Sequence, residues 1–220
     1  MLLVPEIFNR NSSTVTSLMP PEQSGIWLLE RMRQHIGFES YADKKLLDFG
    51  CGVRFSQAII NSNFAIARYC GVDNFRPMIE FLQNHVSDRR FEYAFLDAYH
   101  PLYNEHGTVL STETILPVAD QDFDIISMFS VITHQNPSDS KCIFTALRHH
   151  VRANGHLFFT CFLDQSIATF EDRSPERNGG RCFYNPRFLT ELVELCGWRQ
   201  VSSAPSEGPL IGDSFVYKPV

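Results

Sequence analysis

Three times between residues 45 and 97 a short apolar run ends on an aspartate: KLLDFG carries Asp48, ARYCGVD ends at Asp73 and FEYAFLD ends at Asp97. The first two runs lead directly into segments of helical period, RFSQAIINS and RPMIEFLQNHV, the second with Pro77 in its first turn and Met78, Phe81 and Leu82 on one face. The alternation continues. FDIISMFSV reads as a strand buried on both sides. PSDSKCIFTALRHHVRANG is expected to be a helix capped by Ser138 or Asp139, with Ile143, Leu147 and Val151 inward and ANG as its stop. HLFFTCFL is the next strand and NPRFLTELVELCGW the last helix, before two short strands, RQVSSA and DSFVYKPV. A leading helix, PPEQSGIWLLERMRQHIG, precedes them all and stops at Gly37. Strands alternating with helices dictate an α/β fold: a doubly wound, mostly parallel sheet with helices on both faces and an antiparallel edge from the terminal strand pair.

Composition narrows the function. A net charge of −6 supplies no basic field for phosphates, so no nucleic-acid partner is expected. The N-terminal MLLVPEIFNRN has no basic start, and Pro5 and Glu6 interrupt it, so neither a signal peptide nor a membrane span is expected and the location expected is cytoplasmic. Six cysteines without a CxxC pair suggest neither a disulfide framework nor a metal site. Residues 1–20 are expected to be a flexible segment and 21–220 a single domain, with loop insertions at 98–121 and 163–184.

The most informative loop follows the first strand. Gly50 and Gly52 fit the start of a dinucleotide fingerprint, but the third glycine position is Phe55, and Asp48 would set a negative charge beside a diphosphate. That is wrong for NAD and right for a ligand bearing sulfonium and ammonium groups.

With those residues in view, LLDFGCGVR resembles motif I of the class I S-adenosylmethionine-dependent methyltransferases, and the likeness runs over roughly residues 20–220. YCGVD, FEYAFLDA, FDIISMFSVITH, HHVRANGHLFFT and ELVELCGWRQV are similar to the later motifs, in order. The resemblance implies a seven-stranded sheet of order 3-2-1-4-5-7-6 with the last strand antiparallel, and S-adenosyl-L-methionine as cofactor. It implies cofactor contacts from Asp48, Phe49, Gly50, Cys51, Gly52 and Arg54, and from Phe129 and Ser130 at the fourth strand tip. It further implies a ribose clamp by Asp73 with Asn74 beside it, and adenine contacts from Asp97 and Ala98. One departure stands out. The family commonly reads D-x-G-C-G-x-G-R-F and this chain reads D-F-G-C-G-V-R-F, so Arg54 and Phe55 move up the loop, which either tightens the turn around the methionine part of the cofactor or spoils it.

His134, at a strand tip, is the candidate catalytic base or acceptor-orienting group; its other reading is a hydrogen-bonded pocket wall. Tyr99, His100 and Tyr103 are candidates for acceptor contact. Arg173, Arg177 and Arg181 make either a solvated loop or a clamp for a carboxylate or phosphate. His149 and His150 read as solvated surface, and Phe158, Phe159 and Phe162 as core. The fourth strand tip lacks an N-P-P-Y motif and the chain lacks a basic run, which favours a small-molecule acceptor. The alternative is a protein of this fold that binds the cofactor, or has lost it, and serves as a partner subunit.

Overall fold

The computed structural model describes residues 1–9, 19–101, 103–174, 180–208 and 212–220. The elements, in order, are α1 (Pro21–Ile36), β1 (Lys45–Phe49), α2 (Arg54–Asn61), β2 (Arg68–Asp73), α3 (Arg76–His85), β3 (Phe91–Phe95), β4 (Phe123–Met128), α4 (Pro137–Arg148), β5 (Val151–Leu163), β6 (Phe170–Asp172), β7 (Cys182–Tyr184), α5 (Pro186–Glu194), β8 (Trp198–Ala204) and β9 (Asp213–Pro219). Short 3₁₀ turns occur at Glu6–Phe8 and Ile132–His134.

β3, β2, β1, β4 and β5 lie side by side and parallel, β9 joins β5 antiparallel, and β8 closes the edge against β9. Counting only these long strands, the order is the expected 3-2-1-4-5-7-6. Two-residue periodicity sends neighbours to opposite faces. Leu46, Ile125 and Phe158 pack with Leu29, Met32, Phe55 and Met78 on the side of α1, α2 and α3. Leu47, Ile126 and Phe159 pack with Phe144, Leu147 and Leu189 on the side of α4 and α5. The near-continuous apolar runs follow from this: a strand covered on both faces has no solvent side to keep polar.

Several expectations are corrected. The helix read from residue 137 ends at Arg148, and Val151 and the ANG triplet belong to β5, where Gly155 passes close to the Phe123 carbonyl. Its cap is Asn136, whose side chain accepts from the Asp139 amide at 3.0 Å. His150 is buried, with Nδ1 2.8 Å from the Asp120 carbonyl oxygen, while His149 is exposed as read. Residues 163–184 carry the β6–β7 hairpin, and β7 pairs parallel to the outer end of β5 through Phe162–Phe183 and Leu163–Tyr184. Strands of three residues leave too short an alternation to read. The 98–121 segment is pinned by Leu116 and Val118, both buried in the core.

Residues 1–9 run along the domain. The Leu2 amide donates to Asn61 Oδ1 at 2.6 Å, Leu2 is buried, and the Phe8 ring packs at a tilt on Phe81 at 5.1 Å.

α1 crosses α2 at Gly25, where an added Cβ would meet the Ala58 Cβ at 2.6 Å. Gly25→Ala gains up to about 1 kcal/mol of helix propensity but overpacks the crossing at a cost of about 1–3 kcal/mol. The variant is expected to unfold at lower urea with an unchanged m value; an equal or higher midpoint would show that the two helices part there without cost.

Candidate functional site

The strand order reverses direction between β1 and β4, and at such a switch the connections leave on opposite sides and open a crevice at the carboxyl ends. Here the crevice is a cavity of about 760 Å³, within the range of about 300–1,000 Å³ typical of small-molecule sites.

Its floor is a buried carboxylate. Asp48 is the penultimate residue of β1 and pairs in register with Gly71 on β2 and Ser127 on β4. Its Oδ1 accepts from Ser127 Oγ at 2.6 Å and its Oδ2 from Tyr69 Oη at 2.8 Å. Burial pushes this carboxyl up to about 7, the two hydrogen bonds hold it down and the Asp73 charge adds to the rise. Neither Tyr69 nor Ser127 was singled out in the sequence. The signal was present in RYCGVD and FDIISM, where a polar atom interrupts an otherwise apolar buried run.

The glycine loop rises over this floor. The Gly50 and Cys51 amides both donate to the Val72 carbonyl, at 2.8 and 3.1 Å. Gly50 has φ +73°, and a Cβ there would stand 2.4 Å from Val131 Cγ2, so the position excludes any side chain. Gly52 has φ +52° and open space where its Cβ would be. Val53 then precedes α2, so the missing third glycine is absorbed by starting the helix at Arg54. The turn is intact. Arg54 lines the cavity, and burial lowers its guanidinium to about 10.

Asp73 closes β2. Its Oδ2 accepts from the Gly52 amide at 3.1 Å and its Oδ1 from the Phe75 amide at 3.0 Å, which ties the acid to the loop. Asn74 reaches the Ala98 carbonyl at 3.4 Å. On the far wall, Phe129 packs between Phe55, edge to face, and Phe158, tilted, each 5.1 Å away, and Ser130 takes a left-handed φ of +56° with its amide on Thr160 Oγ1 at 2.9 Å. A non-glycine residue in that region is strained, and such strain gathers at functional sites.

Of the residues implied to contact the cofactor, Asp48, Phe49, Gly50, Cys51, Gly52 and Arg54 line the cavity, as do Asp73, Asn74, Ala98, Phe129 and Ser130. Asp97 stands apart: it lies two residues beyond β3, is exposed, and accepts from Asn104 Nδ2 at 3.0 Å in the following turn. Tyr99, His100 and Tyr103 are on the lining, and so is Phe162, whereas Phe158 and Phe159 are fully buried core. His134 sits at the exposed lip with Nδ1 3.0 Å from the Gly180 carbonyl oxygen. A carbonyl accepts only, so Nδ1 carries the proton and the ring lone pair is on Nε2. Arg173 pairs with Asp164 and Glu171, Arg181 lines the cavity, and Arg177 lies outside the described residues. Thr133, which the sequence reading passed over, is 1% exposed and also lines the cavity.

A family model described as a methyltransferase domain matches residues 24–203. The CcbJ methyltransferase from Streptomyces caelestis is similar with a TM-score of 0.59 at 11% identity, over 97% of this chain and 95% of that one. An S-adenosylmethionine-dependent methyltransferase from Mesorhizobium loti gives 0.59 at 10% identity, over 86% and 96%. The glycopeptide N-methyltransferase MtfA, complexed with S-adenosyl-L-homocysteine, gives 0.58 at 8% identity, over 87% and 88%. At such identities the likeness is one of fold.

The Asp48 carboxyl sets a pH dependence. Its folded value of about 7 exceeds the ordinary 3.8, so the folded chain holds a proton that the unfolded chain releases between those values. Stability from this source is full below about pH 4 and is lost as pH rises toward 7. Asp48→Asn is therefore expected to be more stable than the parent at pH 8 without ligand, by roughly 1–3 kcal/mol, with the gap narrowing toward pH 5. Urea unfolding at both pH values measures it, and a gap independent of pH would contradict the assignment.

Proposed function

The chain belongs to the methyltransferase-domain family, and from that premise we propose that it transfers a methyl group from S-adenosyl-L-methionine to a small-molecule acceptor. The observation that carries this reading is Asp48, a buried carboxylate at the floor of the glycine loop. A burial-raised acid invites a cationic ligand and repels a diphosphate. The space left open at Gly52 supports it, because a ligand can meet bare backbone there.

When bound, the cofactor supplies a methyl group on a positively charged sulfur, with a leaving group already activated. The protein's task is then mainly alignment, which can supply up to roughly 7–11 kcal/mol of the barrier. In this reading Asp48 and the Gly50–Gly52 turn hold the methionine portion and Asp73 with Asn74 holds the ribose. Ala98 flanks the adenine, without Asp97, which faces Asn104 outside the cavity, and Phe129 and Ser130 shape the wall toward the acceptor. Arg54, the first residue of α2, meets the cofactor from the lining. His134 takes a proton from a hydroxyl or ammonium acceptor, its ring held in place by Nδ1 on the Gly180 carbonyl. A base of this kind adds on the order of 10²–10⁴ in rate. The partner-subunit alternative rested on the shortened glycine loop, and the intact turn over an open cavity weighs against it.

Titration calorimetry tests the reading. S-adenosylmethionine is expected to bind at micromolar levels, NAD not at all, and Asp73→Ala to weaken binding by about tenfold or more. A cation near Asp48 favours its ionised form, so binding near pH 7 is expected to release a fraction of a proton, seen as an enthalpy that changes with the buffer's ionisation heat. Absence of S-adenosylmethionine binding would remove the enzymatic reading and leave the partner-subunit one.

A further inference from the structure

Arg181 is a cation on the cavity lining that has no ion-pair partner among the described residues, although the surface around it is well supplied with acids. The residue is exposed, and its guanidinium lies over the rings of Phe162 and Phe183, at 5.2 and 5.9 Å from their centroids. Its neighbour Arg173, by contrast, is matched by Asp164 and Glu171. Asp172 bonds the Arg181 backbone amide at 3.1 Å and so fixes the chain, leaving the side chain directed by the two aromatic rings. A guanidinium stacked on aromatic faces keeps its planar edge of donors available for a carboxylate.

A second group belongs to the same cavity lining. Thr133 Oγ1 is buried and has no hydrogen-bond partner among the described residues, while the residue lines the cavity. Leaving such a hydroxyl unpaired costs about 1–3 kcal/mol, a cost that a ligand oxygen would remove. The two residues are joined by the hydrogen bond between His134 Nδ1 and the Gly180 carbonyl. His134 follows Thr133 and Gly180 precedes Arg181, so this bond joins the turn of the one to the segment that leads into β7. The same lining includes the apolar Val131, Leu110, Ile143 and Phe162, beside the polar Ser130, His134 and Gln135.

We infer that the methyl acceptor is a small carboxylate with an apolar body, its carboxylate held by the Arg181 guanidinium and the Thr133 hydroxyl. One cation, unmatched among the described residues, balances one negative charge, which favours a carboxylate over a phosphate ester carrying about −1.5 to −2. The apolar body rests on Phe162, Leu110 and Ile143. The inference rests on the methyltransferase reading of the same cleft.

The test uses the full chain saturated with S-adenosylhomocysteine. Phenylacetate, 3-phenylpropanoate and hexanoate are titrated against their primary amides, with inorganic phosphate as a second anion. The expected result is that at least one acid binds about tenfold or more tightly than its amide and that phosphate does not compete. The preference is expected to vanish in Arg181→Gln, to persist in part in Arg181→Lys, and to fall several-fold in Thr133→Val. Equal binding of acids and amides, a preference that survives in Arg181→Gln, or displacement of the acids by phosphate would each overturn it. Loss of S-adenosylhomocysteine binding in the unmodified chain is a separate outcome, and it refutes the methyltransferase reading itself.

Discussion

A carboxylate buried between three parallel strands is the constraint around which this fold is arranged. Asp48 is placed at the crevice by the register of β1, and removing it from water is tolerable only because Ser127 on one neighbouring strand and Tyr69 on the other donate to its two oxygens. Those donors must come from the adjacent strands. The residues that make the acid possible are therefore the same ones that lock β2, β1 and β4 in register. The glycine loop starts one residue beyond Phe49, so its height over the crevice is fixed by that register too. Binding chemistry and sheet architecture are one arrangement here.

The loop shows how a departure from a common pattern is absorbed. A third glycine usually lets a helix approach closely; this chain omits it and begins α2 immediately. Space is recovered elsewhere. Gly71 on β2 lies under Cys51, where a Cβ would come within 2.9 Å of its Sγ, and Gly25 on α1 admits Ala58 from α2. The close packing that the missing glycine would have provided is distributed over two other glycines, neither of which belongs to the loop.

Much of this was legible in the sequence because it rests on local chemistry. The strand-end acids Asp48 and Asp73 were found because a charged residue at the end of an apolar run is conspicuous, and the strand order followed from the resemblance those motifs carried. What was not legible depends on distant contacts. Val151 has the spacing of a helix face, and only the pairing of β5 with β4 puts it in a strand. His150 looked like surface because nothing in its neighbourhood announces the Asp120 carbonyl that buries it. Thr133 is an ordinary residue in VITH, and its unpaired hydroxyl exists only in three dimensions. Arg181 was visible as part of a basic loop, but its separation from Arg173 depends on which of them meets acids.

β5 is thirteen residues long, and its last two residues continue past the strands that support it: β4 pairs with it up to Phe159 and β9 up to Cys161. From Phe162 onward its ladder partner among the described residues is β7. The hairpin so carried is tied at its other side as well: Tyr184 is buried and donates to the Gln135 carbonyl at 2.7 Å, and the Gly180 carbonyl lies 3.0 Å from His134 Nδ1. It is thus a strut between the end of β5 and the turn that follows β4, so the sheet's longest strand braces the wall of the cleft opposite the glycine loop.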